Sequence, residues 1–242
     1  MQSSAVLQPK WSTVEEMGRG FLGWSAEGVA GTFLLALPPG AVGRILKSTH
    51  TVAQVVLPEG ASVAFVVHGE SGMQMLLDRV DVLAEMVMDG LLQRFRQHAA
   101  HLRVDAELAI VTRRQCADSL LLEGQMRYWR GQCALTSVKT SSVLRAVRFR
   151  RWEDCDTDAE RLDVQNGLLL TANLAALFED HLLTLDDEGR IIIATRLHWR
   201  DHAALGLSAT MSVQGLTDAH RGYLIAHRSR FAARQSTPAE IQ

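Results

Sequence analysis

Short apolar runs separated by turn residues dominate the first third of the chain. The segment AGTFLLALPPG, residues 30–40, predicts a strand that ends at Pro38-Pro39-Gly40. The segment TVAQVVLPEGASVAFVVHG, residues 51–69, is rich in β-branched residues and predicts two strands joined at Pro58-Glu59-Gly60. These runs indicate a small N-terminal domain that contains a sheet.

A helical spacing replaces this pattern after residue 72. Apolar residues then recur every three or four positions and predict one long helix over about 73–102. The stripe consists of Met73, Leu76, Val80, Leu83, Val87, Leu91 and Phe95. A second stripe of Met75, Val82 and Met86 leaves two interpretations open. The helix either crosses the core of its domain or pairs with a second copy or another protein, since Met-rich apolar faces suit interfaces.

The second half of the chain predicts short, mixed elements. VLRAVRF alternates like a strand, and VQNGLLL places a turn at Asn166-Gly167 before an apolar run. TANLAALFEDH predicts a short helix capped at Thr171 or Asn173. LLTLDDEGRIII predicts a hairpin with Asp187-Glu188-Gly189 at its tip. The fold class is therefore α+β.

The change in pattern also predicts the domain organisation. A boundary near Thr112 separates a smaller mixed α/β domain, residues 1–112, from a domain over residues 113–234. The polar residues 235–242 are expected to form a flexible tail.

Composition and charge describe a water-soluble protein without a strong overall field. The net charge is −2 and hydrophobic residues make up 47% of the chain, so any surface for nucleic acid must be a local patch. The three cysteines form no CxxC pair, which favours reduced thiols in the cytoplasm over a disulfide framework. No apolar run is long enough to cross a bilayer, and a membrane partner is not expected.

A local basic patch does exist. Seven basic residues and no acidic one lie between Arg127 and Trp152. They are Arg127, Arg130, Lys139, Arg145, Arg148, Arg150 and Arg151. Because the planar arginine fork suits phosphate oxygens, we expect non-specific contacts with DNA, although salt bridges to the acidic residues 153–160 would explain the run equally well.

From Arg114 to about Phe231 the chain resembles the HNH endonuclease family. The resemblance rests on YWRGQCALTS, LRAVRFRRWEDC, ERLDVQNGLLLTANLAALFEDHLLTLDDEGRIII and LTDAHRGYLIAHRSRF. It implies a ββα-metal core, in which two antiparallel strands and a helix hold one divalent metal. In such a site a histidine deprotonates water, an asparagine orients that histidine, and the metal stabilises charge on the phosphate. The family also implies a role in defence or in mobile elements.

Residue by residue, the resemblance implies a degenerate active site. Arg148 stands at the position of the base histidine, and an arginine stays protonated at working pH. Val147 and Ala175 stand where the family places metal ligands, whereas Asn166 matches the central asparagine. We therefore expect a catalytically inactive relative that binds DNA or a partner through the arginine-rich strand, without a cofactor.

Two alternatives remain. Glu179 and His181, with Asp180 between them, are metal-competent and would hold Mg²⁺ or Mn²⁺ in an active endonuclease with a rewired site. Alternatively, the chain is an interaction or dimerisation module that acts through the 73–102 helix. His220 and His227, seven positions apart on one helical face, are expected to be structural or to contact phosphate.

Overall fold

The computed structural model describes residues 8–16, 20–28, 30–87, 90–100 and 106–235. The chain divides into two compact units, residues 1–88 and 89–242. The architecture is mixed α+β with small antiparallel sheets. No helix within the described ranges combines the length and the apolar character that a membrane span requires.

The described residues of the first unit form one antiparallel sheet and two helices. Its elements are β1 (Ser12–Glu16), β2 (Gly20–Glu27), β3 (Thr32–Leu37), α1 (Ala41–Lys47), β4 (Val63–His68) and α2 (Gly69–Val87). The strands lie in the order β1-β2-β3-β4. Helix α2 packs on β3 and β4 and buries Leu76, Val80 and Leu83 there.

The predicted strand within residues 30–40 is confirmed as β3, and the second strand of the predicted hairpin is confirmed as β4. The prediction of a first strand in that hairpin was wrong. Within residues 51–57 the structure has isolated bridges at Val52, opposite Phe65, and at Val55, but no strand. None of these residues is buried, so no apolar face holds the segment in an extended ladder. Strands β1 and β2 were missed.

The second unit carries the remaining elements. They are α3 (Gly90–Ala100), α4 (Ala106–Tyr128), β5 (Leu144–Arg148), α5 (Asp158–Leu162), β6 (Gly167–Thr171), α6 (Ala172–Glu179), β7 (Leu183–Leu185), β8 (Ile191–Ile193), α7 (Asp201–Ala204) and α8 (Asp218–Gln235). Short 3₁₀ turns lie at Ser141–Val143 and Trp152–Asp154.

The predicted helix over 73–102 corresponds to two helices, α2 and α3, which belong to different units. Residues 88–89 and 101–105 lie outside the described residues. The division between the units also differs from the predicted boundary near Thr112, which lies inside α4. Arg113 and Arg114, two of the charged residues that suggested a boundary, are exposed on that helix, and a charged helix face resembles a linker in sequence. Most of the predicted tail, residues 236–242, is likewise not described.

The core of the second unit forms around β5, β6 and α6. The two strands are antiparallel, with Arg148 opposite Gly167. A Cβ atom on Gly167 would lie 1.8 Å from the carbonyl oxygen of Val147, so only glycine permits this approach of the strands. Thr171 stands at the N-cap position of α6 without a side-chain capping hydrogen bond, and the helix buries Leu174, Leu177 and Phe178 as predicted. The predicted hairpin at residues 182–193 is confirmed as β7 and β8.

Candidate functional site

A cleft of about 420 Å³ opens in the second unit where β5, the end of α6 and α8 meet. Its charged lining comprises Arg114, Arg148, Arg151, Glu153 and Glu179, and its histidines are His181 and His227. Two of the seven predicted basic residues, Arg148 and Arg151, therefore reach the same space.

Arg148 lies at the end of β5 and is held by its neighbours. Its Nη1 donates to Asp118 on α4 over 2.6 Å, and its Nε donates to the carbonyl of Arg161 over 3.3 Å. Only 14% of the side chain is exposed, and its guanidinium lies 5.7 Å from the ring centre of Trp152. At the position where the resemblance implies a base, the structure thus holds a fixed, ion-paired cation that cannot accept a proton.

Asn166 is fully buried and fixes the segment after β5. Its Oδ1 accepts from the backbone N–H of Arg150 over 2.9 Å, and its Nδ2 donates to the carbonyls of Arg150 and Glu160 over 3.3 and 3.1 Å. These bonds go to main chain rather than to the side chain of Arg148. Asn166 therefore fixes the backbone of Arg150, from which the chain continues to Arg151.

Val147 and Ala175 belong to the hydrophobic core, with 1% and 3% of their surface exposed. On β5 the residues that face the cleft are Ala146 and Arg148, as the two-residue period of a strand requires. The positions that the resemblance assigns to metal ligands are therefore packed against apolar neighbours.

His181 and His227 form a hydrogen-bonded pair behind Arg151. His227 Nε2 lies 2.8 Å from the carbonyl oxygen of Phe178 and therefore carries the proton that it donates there. Its Nδ1 then accepts from the hydroxyl of Thr184 over 2.9 Å. His181 Nδ1 lies 3.1 Å from the same Nε2.

Both histidines are neutral near pH 7. Burial lowers the pKa of His181 to about 4, with further lowering by the charges of Arg234, Arg151 and Arg230. Burial also lowers the pKa of His227 to about 3. Nη2 of Arg151 donates to Nε2 of His181 over 3.3 Å, because a guanidinium has no lone pair with which to accept. Arg151 thus has a neutral partner, which leaves its positive charge in the cleft unbalanced by that contact.

The two glutamates of the cleft differ. Glu153 forms an ion pair with Arg114 over 2.7 Å. Glu179 has no hydrogen bond or ion pair within the described part of the chain, and burial, followed by the charges of Asp180 and Asp118, raises its pKa. Glu179 is thus a cleft carboxylate without an ion-pair partner among the described residues, although the charge of Arg148 partly offsets the rise in its pKa.

The other predicted basic residues do not line the cleft. Arg127 pairs with Glu123 over 3.1 Å, Arg150 pairs with Glu160 over 3.3 Å, and Arg145 donates to nearby carbonyls. Arg130 and Lys139 are exposed elsewhere on the second unit. Salt bridges therefore account for Arg127, Arg148 and Arg150, but only the partner of Arg150 belongs to the acidic residues 153–160 that were expected to pair with the run.

Arg114 and Asp118 were not predicted from the sequence, because they lie on α4, before the basic patch that begins at Arg127. Their four-residue spacing places them on one helical face, and that face meets the end of β5. Such a spacing is common in surface helices, so it did not by itself indicate a site.

The arrangement around Glu179 and His181 does not fit a divalent cation. Among the described residues, no group of three or more His, Cys, Asp or Glu side chains is placed to hold a metal. His181 Nδ1 is taken by His227, and Arg148 and Arg151 bring positive charge to the same space. A second cation there would be repelled.

Searches of protein-family models and of curated proteins give no match to this chain. The function proposed below depends on the geometry of the cleft and on the resemblance of the sequence to HNH endonucleases.

Proposed function

We propose that this chain is an HNH-endonuclease-like protein that binds the phosphate backbone of DNA in the cleft and does not hydrolyse it. The observation that carries the proposal is the pair formed by Arg151 and His181. Arg151 lines the cleft and donates to a neutral imidazole, and it forms no ion pair with a carboxylate within the described ranges. Its remaining N–H groups suit the oxygens of a phosphate.

The surrounding charges support an anionic ligand. Four guanidinium groups lie close enough to lower the pKa of His181 by their charge: those of Arg234, Arg151, Arg230 and Arg196. Asp154 pairs with Arg230, so the positive charge of the region is only partly compensated. Phosphate contacts of this type position a duplex without reading its sequence, and we expect little sequence preference.

The same groups are poorly suited to hydrolysis. A general base for water should titrate near the working pH. Arg148 does not release its proton, and His181, with its pKa lowered to about 4, is a weak base whose two ring nitrogens already contact Arg151 and His227. Binding without cleavage follows from these protonation states.

The experiment is a supercoiled-plasmid assay with the full chain at low salt, in Mg²⁺, Mn²⁺ or EDTA. We expect a mobility shift in every lane, steep weakening with added salt and no relaxed or linear product. A shift that is absent at low salt overturns the proposal. Relaxation in Mg²⁺ or Mn²⁺ but not in EDTA contradicts the inactive assignment.

Glu179 favours a second candidate, the rewired endonuclease, because it is a carboxylate in the cleft with a raised pKa. Glu179→Gln distinguishes the two functions. In a DNA-binding protein it removes a negative charge from the cleft and tightens binding, whereas in an endonuclease it abolishes cleavage.

The dimerisation hypothesis stays a prediction. Leu76, Val80 and Leu83 of the first stripe are buried within their own unit, and in the second stripe Met75 is 68% exposed. One exposed methionine does not define an interface.

A further inference from the structure

Two arginines outside the cleft share one acceptor at the end of α6. Arg196 Nη2 donates to the carbonyl oxygen of Asp180 over 2.6 Å, and Arg234 Nη1 donates to the same oxygen over 2.9 Å. Both arginines are exposed, and neither forms an ion pair with a carboxylate in the described ranges. Two positive groups are thus brought together on a neutral atom.

Neighbouring contacts fix this arrangement. The backbone N–H and the hydroxyl of Thr195 both donate to Oε1 of Gln235, over 3.1 and 3.0 Å. These bonds hold the residue before Arg196 against the residue after Arg234. The two guanidiniums therefore come from the turn after β8 and from the end of α8, and they meet at the C-cap of α6.

Helix capping explains one of the two arginines. The last carbonyls of an α-helix lack intrahelical donors, and a basic side chain there satisfies them and interacts well with the helix dipole. A second guanidinium on the same oxygen adds repulsion between like charges. Each guanidinium has five N–H groups, so most of the donors of this pair remain for another acceptor.

The pair lies directly beside the cleft. Asp180 and His181 are consecutive residues, whose Cα atoms are about 3.8 Å apart. The carbonyl of the first holds Arg196 and Arg234, and the ring of the second faces Arg151. The exposed carboxylate of Asp180 and the Arg230–Asp154 ion pair are the other charged groups nearby.

We propose that Arg196 and Arg234 clamp one phosphate of a DNA strand whose neighbouring phosphate occupies the cleft at Arg151. The assignment rests on the proposed function and adds a second contact point to it. Two arginine forks on a tetrahedral phosphate give directed hydrogen bonds that lysines do not reproduce. The DNA path then runs from the cleft over the C-terminal end of α6.

The test measures the affinity of the full chain for a fluorescent duplex by anisotropy, over a series of salt concentrations. The variant is Arg196→Gln with Arg234→Gln. Its matched control, Arg190→Gln with Arg200→Gln, removes two exposed charges from the same unit. Arg190 pairs with Asp186 and Glu188, and Arg200 stacks over Trp199. Since one phosphate contact contributes about 0.9 to the salt slope, the clamp variant should lose about that much and bind about tenfold more weakly at low salt, with the control unchanged.

Equal effects of the two pairs overturn the clamp, because they mean that net charge alone matters. Wild-type binding with an unaffected clamp variant overturns the clamp but leaves the proposed function standing, provided that Arg151→Gln weakens binding. If the wild-type chain binds no duplex, both the clamp and the proposed function are overturned. If loss of the cap unfolds the glutamine variant, Arg196→Lys with Arg234→Lys decides: a clamp predicts an unchanged salt slope and affinity reduced several-fold, and unchanged affinity contradicts it.

Discussion

The end of β5 and the C-terminal end of α6 both carry arginines, but these arginines face different partners. Beside β5, Arg148 and Arg150 pair with Asp118 and Glu160. At the end of α6, Arg196 and Arg234 donate to a carbonyl oxygen, and Arg151 meets a neutral histidine. A cation paired with a carboxylate has little attraction left for an anion, whereas a cation on a neutral acceptor keeps its charge. The density of arginine in a sequence therefore does not by itself predict which arginines keep an unbalanced charge.

Replacing Gly167 should have the largest effect, because both arginine regions depend on the pairing of β5 with β6. In Gly167→Ala the new Cβ would lie 1.8 Å from the carbonyl oxygen of Val147 and 2.7 Å from Nε2 of Gln125. We expect a loss of about 4 kcal/mol in the free energy of unfolding, measured by urea titration. Gly222→Ala is the control, since its Cβ meets nothing within 4 Å on α8, and it should stabilise by about 0.5–1 kcal/mol. Equal stability of the two variants would contradict the strand geometry.

Acid should destabilise the region around α6 and α8. Burial lowers the pKa of His220 and His227 to about 3, whereas both titrate near 6.5 in the unfolded chain. The unfolded state therefore binds more protons between these values, and stability present above pH 6.5 is lost as the pH falls toward 3. Between pH 7 and pH 5 each histidine should cost about 2 kcal/mol in the free energy of unfolding.

Urea titrations at both pH values, followed by tryptophan fluorescence, measure this loss. His220→Gln removes one of the two buried imidazoles and should show a shallower dependence on pH, whatever its stability at pH 7. A dependence equal to that of the wild type would mean that His220 is not buried as a neutral ring.

Arg151→Gln and Arg150→Gln compare the two kinds of arginine directly. Loss of Arg151 removes a cation that faces the cleft, and we expect about tenfold weaker DNA binding, or about 1.4 kcal/mol. Loss of Arg150 removes a cation that already pairs with Glu160, and we expect a change of less than about twofold. Anisotropy with a fluorescent duplex measures both. Equal losses would show that the carboxylate partners do not shield the arginines near β5.

Local patterns were enough to predict β3, β5, β6, α6 and the β7–β8 hairpin, because alternation and turn residues act over a few positions. The partners of the arginines were not predictable in this way. Asp118 lies 30 positions before Arg148, and His181 lies 30 positions after Arg151. The burial of Val147 and Ala175 was not predicted either. The resemblance to a nuclease led us to interpret both residues as replaced metal ligands, although valine and alanine are also ordinary core residues. Tertiary pairing determines which charges remain available, and only the folded chain contains it.

Arg148→His should have the smallest effect on catalysis, namely none, although it restores the histidine that the resemblance implies. The imidazole would stand next to Asp118 and Trp152, and Asn166 would not orient it, because its bonds already go to the backbone of Arg150 and Glu160. Val147 and Ala175 would remain in the core and offer no metal ligands. Incubation with supercoiled plasmid and Mn²⁺ should therefore leave the plasmid intact, as with Arg148→Gln. Relaxation by the histidine variant alone, abolished by EDTA, would show that a metal site survives beside β5 and that this region retains more of a nuclease than its ion pairs indicate.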